Sequence, residues 1–398
     1  MRLLHTSDWH LGRSLHRADL RAAQESFLDH LVAVARAEKV DAVLVAGDVY
    51  DRAIPPVDAV QLCEDALIRL RDTGARVVLI SGNHDSARRL GFGSRLLDVA
   101  GVHLRTRPAE VASPVLLEDR HGKVAVYGIP YLEPAAVRNE LPEAADCNHV
   151  GLLRHAVGAI AADAAGRGVG RRVVVSHSWV TGGSVCESER DISLGGAGLV
   201  PSSLFDGFSY VALGHLHGRQ TLAGNIRYSG SPLPYSFSES GHRKGSWLVE
   251  LDTVGTVRAE LVPAPVFRRL NVISGTLADL LGSPAYDQFE KDFVSVTLTD
   301  PVRPEGAMDA LRTRFPHILV LGYEPSGVVA DGLGYQARVA GKDDLSIAAE
   351  FVRHVRNSPP SSGERELLAA AFAAVRSADP RGDDPPYPPM NSLDEDAC

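Results

Sequence analysis

The sequence predicts an α/β fold, and three observations carry that reading. Short apolar runs alternate with stretches whose apolar residues recur at helical spacing. The runs at 3–4, 42–46 and 77–80 are separated by Leu20, Phe27, Leu31 and Val34 on one helical face and by Val60, Cys63, Leu67 and Leu70 on another, which reads as βαβαβ. Each run then stops at a turn and delivers polar side chains, as open α/β sheets do at the carboxyl ends of their strands. Finally, 398 residues at 44% apolar and 23% charged suffice for a sizeable core and two or three domains.

Taken in order, the chain predicts a first helix over about 20–38 and a second around 60–70, each between two of these strands. Further strands are expected at 124–127, 173–175 and 210–213, with an Ala-rich helix at 151–165 between the first two. Beyond Gly214 the pattern turns more β-like, through 226–228 and 247–251. A boundary is expected at Pro263 and Pro265, which bracket one residue after a strand. A strand, helix, strand unit follows at 293–298, 307–314 and 318–321. Ile347, Phe351 and Val355, and then Leu368, Phe372 and Val375, give two short amphipathic helices. The Pro- and acid-rich end is expected to be disordered.

Charge and cysteine usage narrow the class. The net charge is −9, of which residues 379–398 hold −5, so any nucleic-acid surface must be local. Cys63, Cys147, Cys186 and Cys398 show no CxxC spacing, which fits a reduced, cytoplasmic setting. No apolar leader follows the first residues and no run of 18 apolar residues occurs, so neither export nor a membrane span is expected.

The chemistry lies just past the apolar runs. Run 3–4 leads to Asp8 and His10, run 42–46 to Gly47 and Asp48, and run 77–80 to Gly82, Asn83, His84 and Asp85. Run 173–175 leads to His177, and run 211–213 to His215 and His217. A lone DxH or HxH is ordinarily a solvated loop, but an ordered set, each member behind a strand, argues for a metal centre. Asp8, His10, Asp48, Asn83, His177, His215 and His217 offer two carboxylates, an amide oxygen and four imidazoles, a donor set suited to Mn²⁺, Fe²⁺ or Zn²⁺ rather than Ca²⁺. Seven donors exceed one ion's need. Two ions about 3.5–4 Å apart would use them all, with Asp48 shared and room left for a water, an arrangement suited to phosphoester hydrolysis.

His84 is then left as a general acid for the leaving oxygen. To stay protonated beside two cations it needs a carboxylate, with Asp51 the first candidate and Asp85 the alternative. His5, His30, His103, His121, His149, His155 and Trp9 read as structural.

The motifs SDWHLGR, GDVYDRAIPP, SGNHDS, VSHSWV, ALGHLH and RYSGSPLPYSFSE, with SERDISLGG at 188–196, resemble the bacterial SbcD nuclease subunits. These belong to the calcineurin-like metallophosphoesterase superfamily and are counterparts of the Mre-type break-repair nucleases. The resemblance runs from Met1 to about Ala374 and implies a two-sheet sandwich flanked by helices, with a small α+β capping domain and C-terminal helices. The nuclease domain would be 1–264, the capping domain 265–340, the C-terminal helices 341–378 and the disordered tail 379–398. It implies two Mn²⁺ ions, one held by Asp8, His10, Asp48 and His217 and the other by Asp48, Asn83, His177 and His215. It also implies 3′–5′ exonuclease and hairpin or single-strand endonuclease activity on DNA, as a homodimer within a heterotetramer containing the ATPase SbcC. The C-terminal helices would dock on the SbcC coiled coil. At position 51 the bacterial branch and the phosphatases carry Asp where archaeal and eukaryotic relatives carry His, which favours the pairing of Asp51 with His84. Arg13, Arg52, Arg88 and Arg89 flank the motifs as possible DNA phosphate contacts.

Overall fold

The computed structural model describes residues 1–137, 148–189, 199–326, 341–356 and 358–378. The expected tail at 379–398 and most of SERDISLGG lie outside the described residues. Two six-stranded sheets form the body. One has the order β14-β13-β1-β4-β5-β6, with β1 Arg2–Thr6, β4 Ala42–Ala46, β5 Arg76–Ile80, β6 Val102–Arg105, β13 Gly245–Leu251 and β14 Val257–Pro263. The other has the order β11-β12-β10-β9-β8-β7, with β7 Val115–Asp119, β8 Gly122–Ile129, β9 Arg171–His177, β10 Tyr210–Gly214, β11 Gln220–Ala223 and β12 Ile226–Tyr228. A small hairpin, β2 Ser14–Leu15 and β3 Ala18–Asp19, sits between β1 and the helix α1, Arg21–Ala37. Strands β1, β4, β5 and β6 run parallel to one another, and so do β8, β9, β10 and β12. Parallel neighbours bring their carboxyl ends to one edge in each sheet.

Strand β4 shows why the sequence builds four layers. Ala42, Leu44 and Ala46 join the core between the sheets, with Leu3, Val126, Val173 and Ala212. Val43 and Val45 face the opposite way, against α1 and the helix α2, Val57–Asp72, where Phe27, Leu31, Cys63 and Leu70 meet them. A strand buried on both faces loses polar alternation and becomes a continuous apolar run. Helix His149–Arg167 covers the outer face of the second sheet through Leu152, Leu153, Ala156 and Ile160.

The described chain divides into two compact units. The first comprises Met1–Ile273, Asp287–Ser295 and Phe315–Val320; the second comprises Ser274–Tyr286, Val296–Arg314 and Leu321–Cys398. The first break thus falls after Ile273 rather than at the prolines 263 and 265. Strands β15 Leu270–Gly275, β16 Phe293–Leu298 and β17 Ile318–Tyr323 form a three-stranded sheet. In the second unit, helices Asp344–Arg356 and Ser362–Ala378 are joined by Arg356, whose guanidinium donates to both Glu364 carboxylate oxygens at 2.7 and 3.0 Å. Phe351, Val355 and Val375 are exposed on these helices. Among the described residues no helix is long and apolar enough to cross a membrane. Cys63 and Cys186 are free thiols.

His5 links the two sheets where their carboxyl ends meet. The Leu213 carbonyl can only accept, so His5 Nε2–H donates to it at 3.1 Å and Nδ1 accepts from the Tyr210 hydroxyl at 2.9 Å. Burial holds this imidazole neutral and drives its pKa down to about 3, with the Leu213 carbonyl opposing the shift. The unfolded chain therefore binds a proton near pH 6.5 that native His5 refuses until about pH 3, so this residue's contribution to stability falls as the pH is lowered through that window. Denaturant titrations between pH 7 and pH 5 are expected to show a stability slope shallower by about 1 kcal/mol per pH unit in His5→Gln than in wild type. An unchanged slope would mean that His5 takes up its proton in the native state.

Candidate metal centre

Five strand ends deliver the seven predicted ligands to one place. Asp8 and His10 follow β1, Asp48 follows β4, Asn83 follows β5, His177 ends β9, and His215 and His217 follow β10. The first three strands belong to one sheet and the last two to the other. Glycines permit that approach: a Cβ on Gly214 would overlap the Ala46 carbonyl oxygen, and one on Gly82 would overlap the Asp48 carboxylate. The backbone itself is strained at the ligands. Of seven described non-glycine residues with positive φ, four are Asp8, His10, Asp48 and His215, at 53°, 45°, 48° and 105°. Such strain persists only where the surroundings over-determine it, typically at a functional site.

Hydrogen bonds behind His177 and His217 fix which nitrogen faces inward. His177 Nδ1–H donates to the Ala46 carbonyl at 2.9 Å, so its Nε2 lone pair faces Asn83 Oδ1 at 2.9 Å and Asp48 Oδ2 at 3.6 Å. His215 Nδ1 lies 3.3 Å from the same Asn83 oxygen. On the other side, His10 Nε2 and His217 Nε2 are 3.0 Å apart, and Asp48 Oδ2 is 3.7 Å from His10 Nε2. Asp8 is anchored by the His215 main-chain N–H, which donates to its Oδ1 at 3.0 Å. Asp8, His10 and His217 form one group of converging ligand atoms, and Asp8, Asp48 and His177 another. Asp8 is common to these two groups, and Asp48 Oδ2, 3.7 Å from His10 Nε2 and 3.6 Å from His177 Nε2, stands between both halves.

The electrostatics ask for cations. Burial pushes His177 and His217 down to about 4, with the Glu239 contact opposing the shift at His217. His10 and His215 are held well below the ordinary value by burial and by neighbouring imidazoles. All four are therefore neutral candidate ligands at neutral pH. Asp8 is pushed the other way, by burial and then by the charge of Asp48. Lone pairs facing lone pairs beside crowded buried carboxylates are unfavourable alone and favourable around divalent ions, so the residues present fit a two-metal centre.

His84 converges with His10 and Asp48 in a third group of ligand atoms but is less buried than they are. It is only half-buried, its main-chain N–H donates to Asp48 Oδ1 at 2.9 Å, and its ring stands edge-on to His10 with centroids 4.7 Å apart. The expected pairing with the Asp51 carboxylate is corrected: His84 Nδ1–H donates to the Asp51 main-chain carbonyl at 2.8 Å. The carboxylate instead faces His10 Nδ1 at 3.8 Å, Arg13 at 3.7 Å and Arg52 at 3.6 Å. Asp85, the alternative partner, clamps the loops by accepting from the main-chain N–H groups of Gly82, Val49 and Tyr50 at 2.9, 3.1 and 2.9 Å. Burial and then the Asp48 charge push its carboxyl up to about 7. Trp9 is fully buried and donates to Thr6 Oγ1 at 3.0 Å, a packing role.

Of the four arginines, Arg13 is committed within the fold: it donates to the Ser188 carbonyl at 2.9 Å and lies over the Tyr235 ring at 4.9 Å. Arg89 donates to the Ala53 carbonyl at 3.0 Å, while Arg52 and Arg88 are exposed beside the site. The sequence reading missed the support around His217. Its Nδ1 lies 2.7 Å from Ser188 Oγ and 3.5 Å from Glu239 Oε1, its main-chain N–H donates to Glu189, and its carbonyl accepts from Lys244 Nζ at 2.9 Å. The only sequence cue was that Ser188, Glu189 and Glu239 fall inside the quoted motifs.

Residues 1–219 match the family model described as calcineurin-like phosphoesterase. Among solved structures the chain is similar to the calcineurin-like phosphoesterase YfkN from Bacillus subtilis, at 14% identity and a TM-score of 0.34, covering 66% of this chain and 90% of that one. It is also similar to TT1561 of Thermus thermophilus, at 12% identity and a TM-score of 0.35, covering 65% and 98%. A dimetal phosphatase from Danio rerio matches at 14% identity and a TM-score of 0.37, covering 66% and 98%.

Asp48→Ala is expected to depress metal content in both halves. Elemental analysis of the reloaded full-length variant should find fewer than about one ion per chain where wild type holds about two. Retention of two tight ions would remove Asp48 from its shared position.

Proposed function

The chain belongs to the calcineurin-like phosphoesterase family, and from that premise we propose that it is a two-metal DNA nuclease subunit. Its reaction is hydrolysis of a DNA phosphodiester at duplex ends, hairpins and single strands, with Mn²⁺ as the resident metal. One observation carries the hydrolytic part: seven donors from five strand ends meet around Asp48, with a further imidazole beside them. Support for the nuclease reading lies in the narrower motifs. Arg13 of DWHLGR, Ser188 of SERDISLGG, and Tyr235 and Glu239 of SGSPLPYSFSE contact one another directly around His217.

Each residue then has a task. Asp8, His10, Asp48 and His217 would hold one cation, and Asp48, Asn83, His177 and His215 the other. When bound, such a pair neutralises phosphoryl charge and acidifies the attacking water. His84 handles the leaving group. With Nδ1–H donated to the Asp51 carbonyl, the doubly protonated imidazole would give its Nε2 proton to the departing sugar oxygen and be left as the Nδ1–H tautomer. Its exposure relative to the ligands leaves it within reach of substrate. Asp51 faces His10 and Arg13 with its carboxylate and orients His84 with its carbonyl.

The partners in this reading are DNA, a second copy of the chain and an SbcC-type ATPase. The helices Asp344–Arg356 and Ser362–Ala378, with Phe351, Val355 and Val375 exposed, suit docking on a coiled coil.

The deciding assay incubates the full chain and Mn²⁺ with duplex and hairpin DNA, with and without the ATPase, beside an aryl phosphodiester and an aryl phosphomonoester. DNA cleavage stimulated by the ATPase is expected; rapid monoester hydrolysis with DNA untouched would make the protein a phosphatase. In the same assay His84→Ala is expected to lose about 10²- to 10⁴-fold in turnover while keeping its metal content. Loss of metal from that variant would reassign His84 as a ligand.

A further inference from the structure

We propose that Glu239, acting through the Ser188 hydroxyl, is the positioning residue that fixes the ligand tautomer of His217 and makes the His10 and His217 half of the centre its tighter metal site. This deepens the two-metal reading above and rests on it.

Donor and acceptor logic leaves one proton arrangement. The Glu239 carboxylate is fully buried and collects the Ser188 hydroxyl at 2.5 Å, the Tyr235 main-chain N–H at 3.1 Å, the Ser231 hydroxyl at 3.4 Å and the Lys244 ammonium. The buried Lys244 ammonium pairs with one carboxylate oxygen, and the Ser188 hydroxyl and the Tyr235 N–H meet the other, so both oxygens act as acceptors. An ionised carboxylate only accepts, so the Ser188 hydroxyl must donate to Glu239. Ser188 Oγ then has only lone pairs for His217 Nδ1 at 2.7 Å, and the imidazole proton must sit on Nδ1. His217 Nε2 is left bare, 3.0 Å from His10 Nε2, as a metal ligand requires.

The two halves differ in what stands behind their histidines. His177 Nδ1–H donates to a neutral main-chain carbonyl, that of Ala46. His217 is backed by a carboxylate through one hydroxyl, and a carboxylate behind an imidazole raises its basicity toward a metal. His217 is also gripped at its main chain by Glu189 and by Lys244, so the ring has little freedom to leave its ligand geometry. Ser188 lies on the loop that follows β9, and Arg13 donates to its carbonyl at 2.9 Å. These contacts make the loop part of the metal centre's support.

The test is Mn²⁺ titration of the metal-free full-length chain, following free Mn²⁺ by electron paramagnetic resonance. Wild type is expected to show one tighter and one weaker site. Ser188→Ala and Glu239→Gln should weaken the tighter site about 10- to 100-fold and leave the other within about twofold. Ser188→Thr, which keeps the hydroxyl, should restore the tighter site. Ser188→Ala guards against misfolding, because Ser188 lies on a half-buried loop and leaves the pair of Glu239 with Lys244 intact. Equal weakening of both sites, an unchanged tighter site, or two sites of equal affinity in wild type would each overturn the proposal. A wild-type chain that takes up no Mn²⁺ would instead sink the metal-centre reading on which it rests.

Discussion

The structure depends on one constraint: lone pairs and carboxylates that repel one another are held together in a buried space at the joint edge of two sheets. Asp8 and Asp48 are buried, and four neutral imidazoles point inward with them. Holding them there requires left-handed backbone at Asp8, His10, Asp48 and His215, and bare glycines at 82 and 214 so that the loops and sheets can close up. Each of these features is unfavourable alone. The continuous apolar faces of β1, β4, β5, β9 and β10 supply the rigidity that maintains them.

That arrangement explains which parts of the molecule were legible in the sequence. Strands β4 and β12, the Ala-rich helix and the strand, helix, strand unit stand where apolar period and turn residues put them, because those signals are local. The ligand set was legible for a related reason: in a parallel sheet every strand ends at the same edge, so a residue's place after its strand predicts its place in space. Nothing comparable announces Glu239, Ser188 or Lys244. Ser188 and Glu239 stand inside quoted motifs, but no spacing in those motifs points at His217, and only the fold brings them near. The Asp51 expectation failed for a different physical reason. The atom that holds His84 is a main-chain carbonyl, which every residue possesses and no sequence pattern marks.

The same hydrogen bonds show how one residue type serves two purposes at one site. His5, His177 and His84 each donate a ring N–H to a main-chain carbonyl, of Leu213, Ala46 and Asp51. What differs is what the other nitrogen meets. For His5 it is the Tyr210 hydroxyl, and the residue becomes a rivet between sheets. For His177 it is the Asn83 oxygen near Asp48, and the residue becomes a ligand. A carbonyl behind the ring sets the tautomer; the front partner sets the role.

His84 is the case in which the front matters most. A group that gives a proton to a leaving oxygen must meet substrate, so it cannot be sealed behind the ligands it serves. The structure separates the two demands along three consecutive residues. Asn83 turns inward to His177 and His215, Asp85 turns back to bind three main-chain N–H groups, and His84 stays half-buried between them. Its main-chain N–H bonds the Asp48 carboxylate, so the proposed proton donor is referenced to the same side chain that stands between the two halves of the centre. Any displacement of Asp48 would therefore shift both halves and His84 together. In the proposed reaction, that shared anchor would let a half-exposed imidazole keep the fixed distance to a metal centre that general acid catalysis requires.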